Sequence, residues 1–267
     1  MTHFVPQSFP HGFDVERPAL RPRTKGMTSI IDFGPDTFGW TTPDGLSSYL
    51  DCVAEYIDYA KIYAMNALLL PKGTVKQIIH RYRDHSVIPY AGGILFEYAV
   101  QREEIDGYIR HLRAIGMPLV EVSENYITLS DEERERHIDR LRQSGFNVIY
   151  EFGRKNPTEV FSLDILENII RSNIDAGVEH TIIEQSEIDY VAAEDPDVLS
   201  QIIGSSWFDK IFIEANPYTF PKEHVGLLDK FGADVNLANI AADQALRLQG
   251  LRYGIGRAVN YAILDQA

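Results

Sequence analysis

The sequence "TIIEQS", residues 181–186, places Glu184 directly after two isoleucines in a segment with the composition of a buried β-strand. A buried carboxylate costs several kcal/mol in desolvation unless a cation or a metal ion compensates it. The same pattern recurs around three other glutamates, in the stretches "LVEVS" (Glu121), "IYEFG" (Glu151) and "FIEAN" (Glu214). The four glutamates follow one another at intervals of 30, 33 and 30 residues, and one βαβ step takes roughly 30 residues. The spacing therefore predicts four successive strand–helix units with a carboxylate at the same point.

The alternation of strand and helix patterns extends along nearly the whole chain. Strands are predicted at residues 28–34, 59–65, 87–93, 119–123, 147–153, 180–186, 210–216 and 234–240. They are short and rich in Val, Ile and Phe, which is typical of buried parallel strands, and a helical pattern follows each of them. Eight such units favour a single closed (β/α)8 TIM-type barrel over residues 27–267.

Two other features of the chain bear on this architecture. A doubly wound open sheet is the alternative fold, although its dinucleotide-binding version requires a G-x-G-x-x-G motif that does not follow the first strand. Residues 1–26 are rich in Pro and Arg and show no hydrophobic period, so we expect an extended arm that lies over the barrel.

Composition excludes several classes of partner. The net charge of −14 and pI of about 5.0 disfavour binding to nucleic acid or to an anionic membrane surface. No apolar run is long enough to span a membrane, and the first residues lack a secretory signal pattern, so we expect a cytoplasmic protein. The single cysteine, Cys52, allows no internal disulfide. A small anionic ligand remains compatible with local basic residues, and a homo-oligomer remains open.

Side chains in a barrel strand alternate between the interior and the helices. Val120 and Val122 are expected to face the helices, so Glu121 faces inward, and the same alternation applies to Glu151, Glu184 and Glu214. The equivalent places in the other strands hold Asp32, Lys61, Tyr90, Asn236 and Asn239.

Carboxylates this close cannot all stay ionised without a cation, and Mg²⁺ prefers carboxylate oxygens. The candidate metal ligands are therefore Asp32, Glu121, Glu151, Glu184 and Glu214. The alternative is that one or two of these carboxylates pair with Lys61, Arg154 or Lys155 and merely close the barrel.

Three short stretches suggest a binding site for a small anion at the end of the barrel where the strands finish. "RPRTKG" (21–26) supplies Arg23 and Lys25, "GRK" (153–155) supplies Arg154 and Lys155, and "AGG" (91–93) supplies Gly92 and Gly93. Backbone N–H groups before a helix N-terminus are a common seat for anions. No histidine pair has zinc-ligand spacing, and no nucleophile motif is present.

The motifs "PRTKGMTSIIDFG", "YAGGILFE", "VEVSEN", "YEFGRKNP" and "VNLANI" resemble those of the phosphosulfolactate synthases, in the same order from about residue 20 to 255. The resemblance implies a (β/α)8 barrel that adds sulfite to phosphoenolpyruvate with Mg²⁺, on the way to coenzyme M or sulfolactate. Such an addition at C3 places negative charge on the substrate carboxylate as an aci-carboxylate, which Mg²⁺ stabilises while a lysine protonates C2.

The resemblance also carries residue roles. It favours Lys155 as the proton donor with Lys61 second, and a subset of Glu121, Glu151 and Glu184 as metal ligands. The matched positions, together with nearby polar residues, give these candidate substrate contacts: Arg23, Lys25, Gly92, Gly93, Glu97, Ser123, Arg154, Asn216, Asn236 and Asn239.

Several stretches depart from the family pattern. "KIYAMNALLL" (61–70) is apolar where the family has a Gly- and Ser-rich loop, and Gln185 and Ser186 stand where an arginine-containing stretch is usual. Ala238 replaces a glycine, and "NPYTF" (216–220) replaces another family segment. These departures predict a homologue with a changed substrate. The alternatives are a true phosphosulfolactate synthase, a non-catalytic or stress-associated barrel, and a Schiff-base aldolase that uses Lys61.

Overall fold

The computed structural model describes residues 18–35, 42–154, 161–194 and 197–265. Its centre is a closed barrel of eight parallel strands, in which each strand pairs with its neighbours in sequence and the last pairs with the first. The strands are β1 (Thr28–Asp32), β2 (Tyr59–Ile62), β3 (Ile88–Ala91), β4 (Leu119–Ser123), β5 (Asn147–Phe152), β6 (Thr181–Ile183), β7 (Ile211–Glu214) and β8 (Leu237–Ala241). The predicted (β/α)8 barrel is confirmed.

Eleven α-helices lie within the described residues. They are α1 (Pro43–Val53), α2 (Asn66–Leu69), α3 (Lys72–Asp84), α4 (Gly93–Gln101), α5 (Ile105–Ile115), α6 (Asp131–Gln143), α7 (Leu163–Asp175), α8 (Gln185–Glu194), α9 (Asp197–Gly204), α10 (Lys222–Phe231) and α11 (Ala245–Arg252). Each buries one face; α5, for example, buries Ile105, Tyr108, Ile109, Leu112 and Ile115, the spacing of an amphipathic helix. Within the described ranges, every helix is too short or too polar to cross a bilayer.

Several predicted boundaries differ from the observed ones, and two of the differences have a clear physical reason. The helical pattern after the third predicted strand spans residues 96–116 and predicts one helix. The structure has two, because the chain turns between α4 and α5, where Glu103 has a left-handed φ of 57°. The strand expected over 180–186 ends at Ile183, because the carbonyl of Glu184 already accepts the N–H groups of Glu187 and Ile188 and begins α8.

The interior of the barrel changes character along its axis. Its lower layer is a cluster of apolar side chains: Met27, Tyr59, Tyr90, Leu119, Ile149, Ile182, Phe212 and Ala238. A cavity in this layer, lined by Tyr59, Tyr90 and Phe212 among others, has a volume of only about 10 Å³. Two residues further along each of four strands lie the glutamates singled out above, at the carboxyl ends. The fold thus places apolar packing at the base and charge at the opening.

Three residues predicted as substrate contacts lie at the amino-terminal ends of the strands, far from the predicted site, so this prediction is corrected. Arg23 Nε donates to Asp58 Oδ1 at 2.8 Å, and Asn236 Oδ1 accepts the Met27 N–H at 3.0 Å. Lys25 lies 3.6 Å from Asp209 at the exposed surface. These residues precede β1 and β8, and the starts of parallel strands lie at the end opposite to the carboxyl ends. The described part of the predicted arm, residues 18–26, therefore packs against the base of the barrel.

Candidate active site at the carboxyl end of the barrel

Four glutamates enter the interior from consecutive strands. Glu121, Glu151, Glu184 and Glu214 are 2%, 2%, 5% and 6% exposed. One carboxylate oxygen from each of Glu151, Glu184 and Glu214 lies within 4.8 Å of the others. The inward orientation expected from strand alternation therefore brings these side chains together at the carboxyl end.

Lys61 supplies a positive charge beside two of the glutamates. Its Nζ lies 2.9 Å from Glu121 Oε2 and 3.1 Å from Glu151 Oε2. Burial alone would lower the pKa of Lys61, but Glu121 and Glu151 outweigh it and hold the pKa well above its usual value. The ammonium is therefore protonated throughout the physiological pH range.

Glu121 is held from two sides. Its Oε1 accepts the backbone N–H of Gly93 at 2.7 Å, at the first residue of α4, and its Oε2 faces Lys61. Burial raises the pKa of Glu121 in spite of Lys61. A Cβ at Gly93 would collide with Ser123 Oγ, so this close approach requires glycine.

The predicted anion seat in the "AGG" stretch is wrong because both of its N–H groups are already bonded. The Gly93 N–H donates to Glu121, and the Gly92 N–H donates to the Ile62 carbonyl at 3.2 Å. The helix N-terminus of α4 therefore faces a carboxylate of the protein itself.

Glu97 fastens the connection that follows β4. Its Oε1 accepts from the Ser123 hydroxyl and from the Asn125 N–H at 2.9 Å, and its Oε2 accepts from the Tyr126 N–H at 2.9 Å. Glu97 and Ser123, predicted as substrate contacts, are thus engaged with the protein. Their bonds fix the backbone that presents the next residue of the site.

Asn125 is a site residue that the sequence analysis did not identify. Its Nδ2 donates to Glu151 Oε1 at 2.6 Å, opposite the oxygen that Lys61 contacts. Glu151 is therefore oriented by an amide and an ammonium together. The available signal was the place of Asn125 in the turn after β4, where barrel enzymes carry functional residues.

Asp32 was predicted as a metal ligand inside the barrel, and this orientation is wrong. Its Oδ2 accepts from the Tyr82 hydroxyl on α3 at 2.8 Å, and its Oδ1 accepts the Gly34 N–H at 2.8 Å. The inward positions of β1 are Met27, Ser29 and Ile31, so Asp32 faces the helix layer.

The remaining predicted residues differ in setting. Asn239 is buried in β8 with a left-handed φ of 56°, and its Oδ1 has no hydrogen-bond partner among the described residues. Asn216 is exposed, and its Oδ1 accepts the Tyr218 N–H at 2.9 Å. Arg154 is exposed at the end of β5 and donates to Thr128 Oγ1 at 3.0 Å. Lys155 lies outside the described residues.

The donor set fits a hard divalent cation. Three carboxylate oxygens converge within the spacing that a shared ion would need, and they lie in a buried interior where mutual repulsion is strong. Gln185, directly after Glu184, is engaged on α8 instead, where its Nε2 donates to Asp189 Oδ1 at 2.9 Å. Oxygen donors without nitrogen or sulfur favour Mg²⁺ over zinc.

Comparison with known proteins places the whole barrel in one group. The family model of (2R)-phospho-3-sulfolactate synthase (ComA) matches residues 16–257. A phosphosulfolactate synthase of Methanocaldococcus jannaschii is 31% identical over 243 residues, 86% of this chain and 92% of the relative. A phosphosulfolactate synthase of Bacillus subtilis is 27% identical over 255 residues, 91% of this chain and 96% of the relative.

One solved structure illustrates how widely the architecture is shared. The carboxyl transferase domain of Rhizobium etli pyruvate carboxylase, solved with pyruvate and biocytin, superposes with a TM-score of 0.54 at 10% identity. The alignment covers 84% of this chain and 41% of that one. At this identity the likeness extends to the fold alone.

Proposed function

Because the chain belongs to the (2R)-phospho-3-sulfolactate synthase family, we propose that it is a Mg²⁺-dependent, carbon–sulfur bond-forming lyase. It adds a nucleophile such as sulfite to phosphoenolpyruvate or a related enoyl carboxylate. The observation that supports this proposal most strongly is the convergence of Glu151, Glu184 and Glu214 beside a protonated lysine.

The three converging glutamates would hold the cation, and Glu121 would remain paired with Lys61. When bound, Mg²⁺ would stabilise the negative charge that the addition places on the substrate carboxylate. Asn125 keeps Glu151 oriented between the cluster and Lys61. The base of the barrel, filled with apolar side chains, excludes water from below the reacting atoms.

The addition needs one proton donor and balances without a redox partner. The lone pair of the nucleophile forms a bond to C3, and the C2=C3 π pair moves toward the carboxylate. That pair then forms a C2–H bond with a proton from an ammonium group, which regains a proton from solvent. Lys61 is a candidate for this donor because it is protonated and faces the interior; Lys155 remains the other sequence-based candidate.

The Schiff-base alternative is disfavoured by the electrostatics of Lys61. An amine must be neutral to attack a carbonyl, whereas Glu121 and Glu151 raise the pKa of Lys61 despite its burial. A non-catalytic barrel would retain four inward carboxylates without use for them, at a cost in stability. A cytoplasmic location and a homo-oligomeric state remain predictions from sequence.

Calorimetric titration with Mg²⁺ tests the proposed function. Wild-type protein is expected to bind one ion, and Glu184→Gln is expected to weaken binding by at least about 10-fold, since it removes a charged ligand but keeps the shape. Glu179→Gln is the matched control, because Glu179 precedes the opposite end of β6. Equal affinity of Glu184→Gln and wild type would remove the metal site from the proposal.

The reaction itself is tested with phosphoenolpyruvate, sulfite and Mg²⁺, with product formation followed by phosphorus and carbon NMR. The expected product carries a new carbon–sulfur bond at C3. Binding of Mg²⁺ without turnover of this pair, but with turnover of another enoyl carboxylate, identifies a changed substrate. The absence of both Mg²⁺ and enoate binding favours the non-catalytic barrel.

A further inference from the structure

Three aromatic side chains gather at one side of the barrel opening. Phe33 follows β1, Tyr63 follows β2, and Tyr218 lies in the connection after β7. The ring centroids of Phe33 and Tyr63 are 5.0 Å apart, and those of Phe33 and Tyr218 are 6.1 Å apart. Tyr63 is 43% exposed and Tyr218 is 81% exposed, while Phe33 is nearly buried. We call these three residues the aromatic rim.

The aromatic rim continues the inner surface of the proposed site. The Tyr63 N–H donates to the Asp32 carbonyl, so the β1–β2 ladder extends to Tyr63 and alternation puts its side chain on the same face as that of Lys61. Two residues along a strand span roughly 7 Å. Phe33 stands in the same relation to Ile31, and it packs with Ile31 and Ala241 inside the opening. The rings of Phe33 and Tyr63 therefore lie about one residue pair beyond Ile31 and Lys61, toward the opening of the barrel.

The charge of the surrounding connections opposes a phosphate at this side. The described residues next to the rings in the chain, 33–35, 63–71 and 215–221, contain no Lys, Arg or His. A phosphate is held by cations and free N–H groups, whereas the rings offer flat apolar faces with a hydroxyl at the tip. Single exposed aromatic residues are ordinary, but a contiguous group beside a site marks a binding surface.

From this geometry we propose that the aromatic rim binds an apolar substituent of the acceptor, so that the substrate is an enoyl carboxylate carrying an aryl or branched alkyl group. This inference rests on the proposed function, because the carboxylate end of the substrate is taken to lie at the glutamates. The substituent extends from the carboxylate toward β1 and β2, where the rings lie roughly 7 Å beyond Ile31 and Lys61 along the strands. The rim then determines which acceptor is used and leaves the addition chemistry unchanged.

Two small enoyl carboxylates test the rim by calorimetry on the full chain with Mg²⁺. trans-Cinnamate carries a phenyl group where crotonate carries a methyl group, and both share the enoate. We expect cinnamate to bind more tightly than crotonate and than phosphoenolpyruvate. Tyr218→Ala is expected to weaken cinnamate roughly 2- to 10-fold, the range of one aromatic contact, with crotonate unchanged.

The control is Tyr98→Ala, which removes an exposed tyrosine of α4 that packs on Arg102, and it is expected to change neither ligand. Equal binding of cinnamate and crotonate, tighter binding of phosphoenolpyruvate, or no effect of Tyr218→Ala overturns the rim proposal while the proposed function stands. If neither enoate nor phosphoenolpyruvate binds with Mg²⁺, the proposed function fails and the rim proposal fails with it.

Discussion

The two ends of the barrel both bury charge, but they balance it differently. At the amino-terminal end, Arg23 pairs with Asp58 at 2.8 Å, and Asp58 also accepts the Thr28 N–H at 2.8 Å. At the carboxyl end of the described barrel, four inward glutamates share the charge of Lys61. Charge that is matched by a direct ion pair stabilises the structure, whereas several carboxylates that converge in a buried interior are typical of a functional site.

The largest expected effect comes from breaking the balanced end. Arg23→Met should lower the free energy of unfolding by about 3–5 kcal/mol, because it removes the cation that contacts the buried Asp58 carboxylate directly. Urea denaturation followed by circular dichroism measures the change. Lys25→Met is the control, since its pair with Asp209 is exposed and long and should contribute less than about 1 kcal/mol. Similar losses in the two variants would contradict this interpretation of the base.

A pH titration examines the same end through His180, whose ring packs against Tyr59 and Phe212 at 5.7 and 5.2 Å. Burial lowers the pKa of His180 to about 4 from its usual 6.5. The unfolded chain therefore binds the proton first as pH falls, and stability is lost between pH 6.5 and about 4. At pH 5 this linkage costs about 2 kcal/mol relative to pH 7.

His180→Phe should flatten that dependence by about 2 kcal/mol between pH 7 and pH 5 in urea denaturation. His80→Gln is the matched control, because His80 lies on the surface of α3. His224, whose pKa burial also lowers to about 4, keeps a residual slope in both variants. An unchanged slope in His180→Phe would show that the ring is hydrated in solution.

The smallest expected effect has the opposite sign and lies at the carboxyl end. Glu184→Gln should raise the unfolding free energy of the metal-free protein by about 1 kcal/mol, because it relieves repulsion with Glu151 and Glu214 at some cost to function. Asp58→Asn at the other end should lower stability. Urea denaturation in a chelating buffer measures the unfolding free energy of both variants. Destabilisation by both substitutions would contradict the proposed difference between the two ends of the barrel.

The fold was predictable because its hydrophobic pattern repeats. Strand–helix units of about 30 residues recur through the chain. The same spacing correctly predicted that four glutamates lie at the carboxyl end of the barrel: Glu121, Glu151, Glu184 and Glu214. Asp32 shows the limit of this approach. Ile30 and Ile31 are both apolar, so the sequence does not show which of the two faces the barrel interior. In the structure Asp32 faces the helices, where its Oδ2 accepts a hydrogen bond from the Tyr82 hydroxyl on α3.

Other errors have different physical origins. Arg23 and Lys25 precede the first predicted strand, so topology alone excluded them from the carboxyl end, but the basic composition of "RPRTKG" suggested an anion site. Asn236 lies within the predicted strand 234–240, and it precedes β8 only because that strand begins at Leu237. Whether the N–H groups of Gly92 and Gly93 are available to a ligand depends on the acceptors that the folded chain brings to them, and the sequence does not show these acceptors. Asn125 had no periodic signature, since an amide in a connecting turn is recognised by its contacts.

The tightly packed lower layer has a kinetic consequence. The cavity lined by its described residues measures only about 10 Å³, about the space of one water molecule. For the proposed reaction, the packed layer would direct reactants and product through the same opening at the carboxyl end. We therefore expect the product to compete with the reactants for that opening, which would appear as product inhibition.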